Sequence, residues 1–177
     1  GKIGRFDIGL LDVQTDELVE EDLRLVPGKN LAVGRVKANF GRQSYVGALF
    51  TNGDPTGRTG NQAGGLDLKL ATSNFLKSEK NLGLTLFGAK TRTSGVVGRD
   101  TAYGGSILFP NDLTHFEYKW LKIGENFDPA LGFMPRRGIR LSSLNTELRP
   151  RPKFWNIRQL SFEFEYADYY NLEHRSS

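Results

Sequence analysis

The chain has 177 residues, 24 Lys and Arg against 20 Asp and Glu for a net charge of +4, and a mean hydropathy of −0.43. That length suits one domain, and no run of about 18 apolar residues exists to form a membrane-spanning helix, although a membrane β-barrel needs only alternating apolar residues and is not excluded. The absence of cysteine removes disulfides, thiolate metal sites and cysteine nucleophiles together.

Along the chain, most segments repeat with period two, which places alternate side chains on one strand face. Phe6, Ile8 and Leu10 open the series, followed by Val36, Ala38 and Phe40, then Val46, Ala48 and Phe50. Leu66, Leu68 and Leu70 interleave with Asp67 and Lys69, and Leu82, Leu84 and Leu86 come next. Tyr103, Gly105, Ile107 and Phe109 form the sixth set, and Phe116, Tyr118 and Trp120 the seventh. The eighth is Leu160, Phe162, Phe164 and Tyr166, and Ile139 to Leu148 is a weaker ninth. Between Thr15 and Leu25 the acidic cluster fits a short helix or a solvated loop equally well. Turn chemistry separates the strands: Asn39 to Arg42, Asn52 to Gly57 opening a loop that reaches Gly65, and Pro110-Asn111-Asp112. The expected fold is all-β, an antiparallel up-and-down meander of about eight to ten strands.

Alternation does not say which way the apolar face points. In a soluble barrel or sandwich it points inward; in a membrane barrel it meets lipid while the polar face lines the lumen. Mixed charges on successive polar faces favour the membrane arrangement. So do the glycines at strand positions (Gly9, Gly34, Gly47, Gly83, Gly88, Gly104, Gly105), which would leave gaps in a tight soluble core.

Few residues suggest catalysis. Glu163 and Glu165 share a strand face about 7 Å apart, a glycosidase-like separation, but they alternate with Phe162, Phe164 and Tyr166 as the wet side of a strand would. His115 and His174 stand in no spaced ligand pair, and no GxSxG elbow is present. The Asp54 to Asn61 loop is glycine-rich but lacks the Walker GK[ST] ending. No cofactor, metal site or catalytic residue is expected. The basic stretch is more distinctive. From Arg136 to Lys153 six basic residues stand against Glu147, a local +5 that leaves −1 for the rest of the chain. Arg136, Arg137 and Arg140 are candidates for a lumen surface that favours anions, or for a rim contacting anionic lipid; ion-pairing with carboxylates is the simpler use. Prolines 150 and 152 break up any nucleic-acid platform with Phe154 and Trp155. The triplets Phe116, Tyr118, Trp120 and Phe162, Phe164, Tyr166 fit an aromatic girdle at a membrane interface or, alternatively, a sugar-stacking surface.

Several motifs are less generic: IGLLDVQT from Ile8, NLAVGRV from Asn30, VGALFTNGDP from Val46, NFDPALGFMPRRGIR from Asn126 and ELRPRP from Glu147, followed by Trp155-Asn156-Ile157-Arg158. In order and spacing they resemble the bacterial outer-membrane domain-of-unknown-function family 5916. Its members carry a family-nine-like carbohydrate-binding module followed by a β-barrel, and the likeness covers nearly the whole chain. It implies an internal part of a barrel in the outer membrane of a Gram-negative bacterium, with outer-membrane lipid and the remainder of the barrel as partners. Gly1 at the start, Met134 as the single methionine and the ending His174-Arg175-Ser176-Ser177 without a terminal aromatic fit a segment of a longer barrel. The resemblance supplies no catalytic residue. The expected function is therefore non-enzymatic, in solute passage or scaffolding linked to carbohydrate handling, with a soluble carbohydrate-binding β-module as the alternative.

Overall fold

The computed structural model describes all residues except 21, 22, 27, 57–59, 135, 153–156 and 173–177. Strand β1 is Lys2–Ile3 and β2 is Phe6–Thr15. A small hairpin, β3 (Leu18–Glu20) and β4 (Leu23–Val26), precedes β5 (Lys29–Phe40). The long strands continue as β6 (Ser44–Asn52), β7 (Gln62–Thr72), β8 (Leu82–Arg92) and β9 (Thr101–Pro110). The last three are β10 (Thr114–Ile123), β11 (Ile139–Leu148) and β12 (Phe162–Asn171). Each expected strand is present, including the ninth. The segment left open between helix and loop is neither: β3 and β4 pair antiparallel with a bulge at Leu18/Val19. β-Branched Val19 and Val26 suit strands, and a helix would crowd the acidic residues of this segment together.

Ten antiparallel strands form one sheet in the order β1-β2-β5-β6-β7-β8-β9-β10-β11-β12, so each long strand lies beside the next in sequence. The sheet is not closed; β1 and β12 occupy its edges. Connections 41–43, 73–81, 111–113 and 149–161 lie at one end, the turn end. Residues 16–28, 53–61, 93–100 and 124–138 lie at the other, the loop end. Gly41 adopts φ +59 in the first turn, a conformation that a side chain would strain.

The register assigns each side chain to a face. One continuous hydrogen-bonded row runs Phe6, Ala38, Val46, Leu68, Leu86, Gly105, Trp120, Ser142, Asp168. Its face carries the apolar series predicted from the sequence. Those residues are not packed away: Leu10 is 82% exposed, Leu66 65% and Phe162 59%. Buried apolar residues among those described are only Ala63, Ala102, Ile123 and Phe127, far less than the core of a soluble domain of this length.

The apolar face has limits, and the limits are inclined. Its charged residues in the long strands (Asp12, Lys90, Arg92, Lys122, Arg140, Asp168) all lie toward the loop end. Counted from the row above, the first polar residue is six positions up on β6 (Asn52) and β7 (Gln62), and four on β8 (Lys90) and β9 (Thr101). It is two up on β10 (Lys122), and it lies in the row itself on β11 (Ser142) and β12 (Asp168). One residue per strand is about 3.4 Å of rise over about 4.8 Å of sheet, an incline of roughly 35°. The turn-end limit descends in parallel, from Ser44 on β6 to Thr114 on β10, so that Ser44 to Asn52 and Thr114 to Lys122 span equal lengths. Eight residues projected at that angle give an apolar band roughly 22 Å tall. Toward β2 the incline reverses, from eight positions up on β5 (Asn30) to six on β2 (Asp12).

Candidate functional site

The opposite face carries most of the chemistry. Asp7, Lys37 and Asn39 meet at its β2–β5 end, with Lys37 Nζ 3.1 Å and Asn39 Nδ2 2.7 Å from Asp7 Oδ2. Arg35 on β5 reaches across β6 to Asp67 on β7 in a two-pronged contact of 2.7 and 2.9 Å. Gly47 lies beneath that bridge; a Cβ there would sit 2.7 Å from both Arg35 Nη2 and Asp67 Oδ1. The missing side chain lets a cation and a carboxylate two strands apart meet. Further along the face, Lys119 pairs with Glu117 at 2.7 Å, and Arg149 donates to both Glu147 oxygens at 2.6 and 2.5 Å. Ser161 adds a hydrogen bond to Glu147, and Glu147 in turn holds Arg149 more firmly in its charged form. Leu11, Leu49 and Phe87 share this face, so it is mixed and not purely polar.

At the loop end, the motif Asn126 to Phe133 folds back over this face. Phe127, 4% exposed, packs with Ala102 and Ile123 beside Met134 and Ile139. Its backbone is pinned by two fully buried polar side chains, Asn61 and Thr91. Asn61 Nδ2 donates to the Asp128 carbonyl at 2.8 Å and to Thr93 Oγ1 at 2.9 Å, while its Oδ1 accepts from the Ala130 amide at 3.2 Å. Thr91 Oγ1 accepts from the Asp128 amide at 3.1 Å. Arg137 Nη2 contacts Asp128 Oδ1 at 2.6 Å and holds the returning chain. Gly124 starts the loop where a side chain would collide with the Arg99 carbonyl. Burial of polar atoms costs free energy unless each finds a partner, and among the described residues every buried side-chain polar atom has one.

The residues singled out from the sequence are placed as follows. Arg136, Arg137 and Arg140 do not share a surface: Arg136 is exposed in the loop, Arg137 is paired with Asp128, and Arg140 lies on the apolar face. Arg140 is in register with Trp120's face of the sheet, apart from Arg136 and Arg137 in the loop. Phe116, Tyr118, Trp120, Phe162, Phe164 and Tyr166 do share the apolar face, on β10 and β12 with β11 between. They run along the strands from near the loop-end limit toward the turn end, not in a ring at one level. A groove of about 400 Å³ beside them, over Gly105, is lined by Leu84, Leu86, Tyr103, Ile107, Tyr118 and Trp120 and offers few polar groups for a sugar. Glu163 and Glu165 face the polar side, where Glu165 accepts from Asn145 at 2.8 Å and Glu163 stands opposite Glu147. His115 lies between Pro110 and Glu147, and His174, Phe154 and Trp155 fall outside the described residues. In the Asp54 to Asn61 loop, Asp54 Oδ1 accepts from the Thr56 amide and hydroxyl at 2.7 and 2.6 Å, a local turn.

Sequence reasoning missed Asn61 and Thr91 as anchors. The motif they anchor was conspicuous, but contacts between residues 61 and 128 leave no periodic trace. No family model, curated protein or solved structure matches this chain.

Proposed function

We propose that the chain is a wall segment of a membrane-spanning β-barrel in a bacterial outer membrane, non-enzymatic, with the apolar face toward lipid and the mixed face toward an aqueous interior. The observation that carries this reading is the inclined apolar band. Strands of membrane barrels tilt about 35–45°, and their lipid-facing band is about 25 Å tall. A band set at roughly 35° to the hydrogen-bonded rows and roughly 22 Å tall is what such a tilt leaves on an antiparallel sheet. A soluble sheet has no reason to place its polar limits on a straight oblique line. The exposed strand edges at β1 and β12 are then continued by further barrel strands, since unpaired backbone is costly in lipid. The resemblance to the outer-membrane family 5916 agrees with this placement. Within the barrel, the loop 124–138 narrows the interior, a role in solute passage or scaffolding.

The test uses a Trp155→Phe variant, which leaves Trp120 as the single tryptophan. Refolded into phosphatidylcholine vesicles, Trp120 fluorescence is expected to be quenched by brominated acyl chains, and the full-length protein is expected in the outer-membrane fraction. A chain that folds as a monodisperse species in plain buffer, with sugar-dependent Trp120 fluorescence, would refute the barrel and favour a carbohydrate-binding module.

A further inference from the structure

On the apolar face, at its loop-end limit, Lys122 on β10 and Arg140 on β11 are direct cross-strand partners. Like charges directly opposite one another destabilise an antiparallel pair, so this arrangement calls for an anion. Among the described residues no carboxylate lies within ion-pair distance of Lys122 or Arg140; Asp168, on the same face, is two residues from Arg140's partner Tyr170. Aromatic rings flank both cations instead. Arg140 Cζ lies 5.1 Å from the Tyr170 ring centroid, Lys122 Nζ 6.0 Å from that of Tyr103, and Tyr103 packs on Trp120 at 5.6 Å. Two strands away on the same oblique limit stands Lys90, 69% exposed, with only a 3.7 Å contact to Asp100. On the polar face Arg35, Lys37, Lys119 and Arg149 each pair with a carboxylate at 3.1 Å or less, whereas Lys69 on β7 pairs with none among the described residues.

We infer that Lys122 and Arg140, with Lys90 two strands away on the same limit, form a binding site on the outer surface of the barrel for the phosphate of an anionic lipid headgroup. The inference rests on the barrel reading, which sets this face toward lipid and this limit at the headgroup level. Three features select a lipid phosphate. The two cations are adjacent and uncompensated, so one phosphate can bridge them with charge-assisted hydrogen bonds. Tyrosine and tryptophan rings sit where amphipathic aromatics favour the headgroup layer. Directly toward the turn end lies the apolar groove over Gly105, in position to take the acyl chain of the same lipid.

The experiment is a lipid titration of the full-length protein in zwitterionic detergent, read by native mass spectrometry. Phosphatidic acid, phosphatidylcholine and inorganic phosphate are compared for wild type and for Lys122→Gln/Arg140→Gln. Wild type is expected to retain phosphatidic acid in preference to phosphatidylcholine, and the double variant to lose roughly 30-fold in that affinity, from about fivefold per cation. Urea unfolding supplies a second readout. In pure phosphatidylcholine vesicles the single variant Lys122→Gln is expected to be at least as stable as wild type, because the repulsion is relieved; in vesicles containing phosphatidic acid the order reverses. Equal phosphatidic acid binding by wild type and double variant overturns the site, and inorganic phosphate competing as well as the lipid overturns its assignment to a headgroup. Both of those outcomes leave the barrel reading standing. Failure of wild type to insert into either kind of vesicle overturns the barrel and this site together.

Discussion

On one face of the sheet Arg35 crosses a strand over Gly47 to reach Asp67; on the other, Lys122 faces Arg140 with tyrosines as the nearest company. The same backbone carries both, and the two side-chain sets differ by a single step of the strand. On the polar face Arg35, Lys37, Lys119 and Arg149 find carboxylates within the sheet, while Glu163 stands opposite Glu147 and Lys69 has no carboxylate partner among the described residues. The apolar face carries charge only beyond an oblique limit, and there Lys122 and Arg140 have no carboxylate partner among the described residues while Lys90 has a 3.7 Å contact to Asp100. What the contrast teaches is that the environment of each face is written in how its charges are partnered, more than in how many there are.

The sharpest way to break the contrast is to move a charge across it. Leu66→Arg, in the middle of the apolar band, is expected to cost about 2–4 kcal/mol of folding free energy in lipid vesicles. Thr85→Arg, on the polar face of the neighbouring strand, is expected to change stability by only about 0.5 kcal/mol, as surface substitutions do. Urea titrations of both variants give the comparison, and equal penalties would erase the distinction between the faces.

Next in size is the anchor of the folded-back loop. Asn61→Ala removes contacts to Thr93, Asp128 and Ala130 and leaves buried partners unsatisfied, an expected loss of about 1–3 kcal/mol. Limited proteolysis should then cut within residues 124–138 while the strands stay protected. Undiminished resistance there would mean that Phe127, Thr91 and the Arg137–Asp128 pair hold the loop without Asn61.

Gly47→Val is expected to cost about 1–3 kcal/mol, by forcing Arg35 and Asp67 apart or displacing β6. In an Asp67→Asn background most of that penalty should disappear, since the bridge is already weakened; an unchanged penalty would locate the clash in the backbone.

The smallest effect is the coupling of Arg35 and Asp67 themselves. Their side chains are 38% and 17% exposed, so a double-mutant cycle should return about 1 kcal/mol or less, declining as salt is raised. A coupling insensitive to salt would show the pair shielded from bulk water.

The alternation of Leu66, Leu68 and Leu70 against Asp67 and Lys69 already contained the strand and its two faces, because the period of two is a property of the extended backbone. The same holds for every long strand, and turn residues such as Asn111 and Gly41 divided them correctly. Residues 15–25 were ambiguous because acidic side chains interrupt their pattern and short-range preference is weak there.

Local spacing alone could not decide how neighbouring strands are offset. The oblique line Asn52, Lys90, Lys122, Asp168 exists only once registers are fixed along the sheet, and a slip of one residue would turn a strand's apolar series to the other face. Arg140 shows the consequence: in sequence it belongs with Arg136 and Arg137, yet register places it opposite Lys122 while Arg137 turns to Asp128. Likewise nothing near Asn61 in sequence announces Asp128, because that contact depends on a loop returning across the sheet. The sequence by itself determined the strands and their two-sided character, through the backbone's period. Which charges meet, and which are left facing outward at the limit of the apolar band, only the tertiary structure decided, through strand register and loop return.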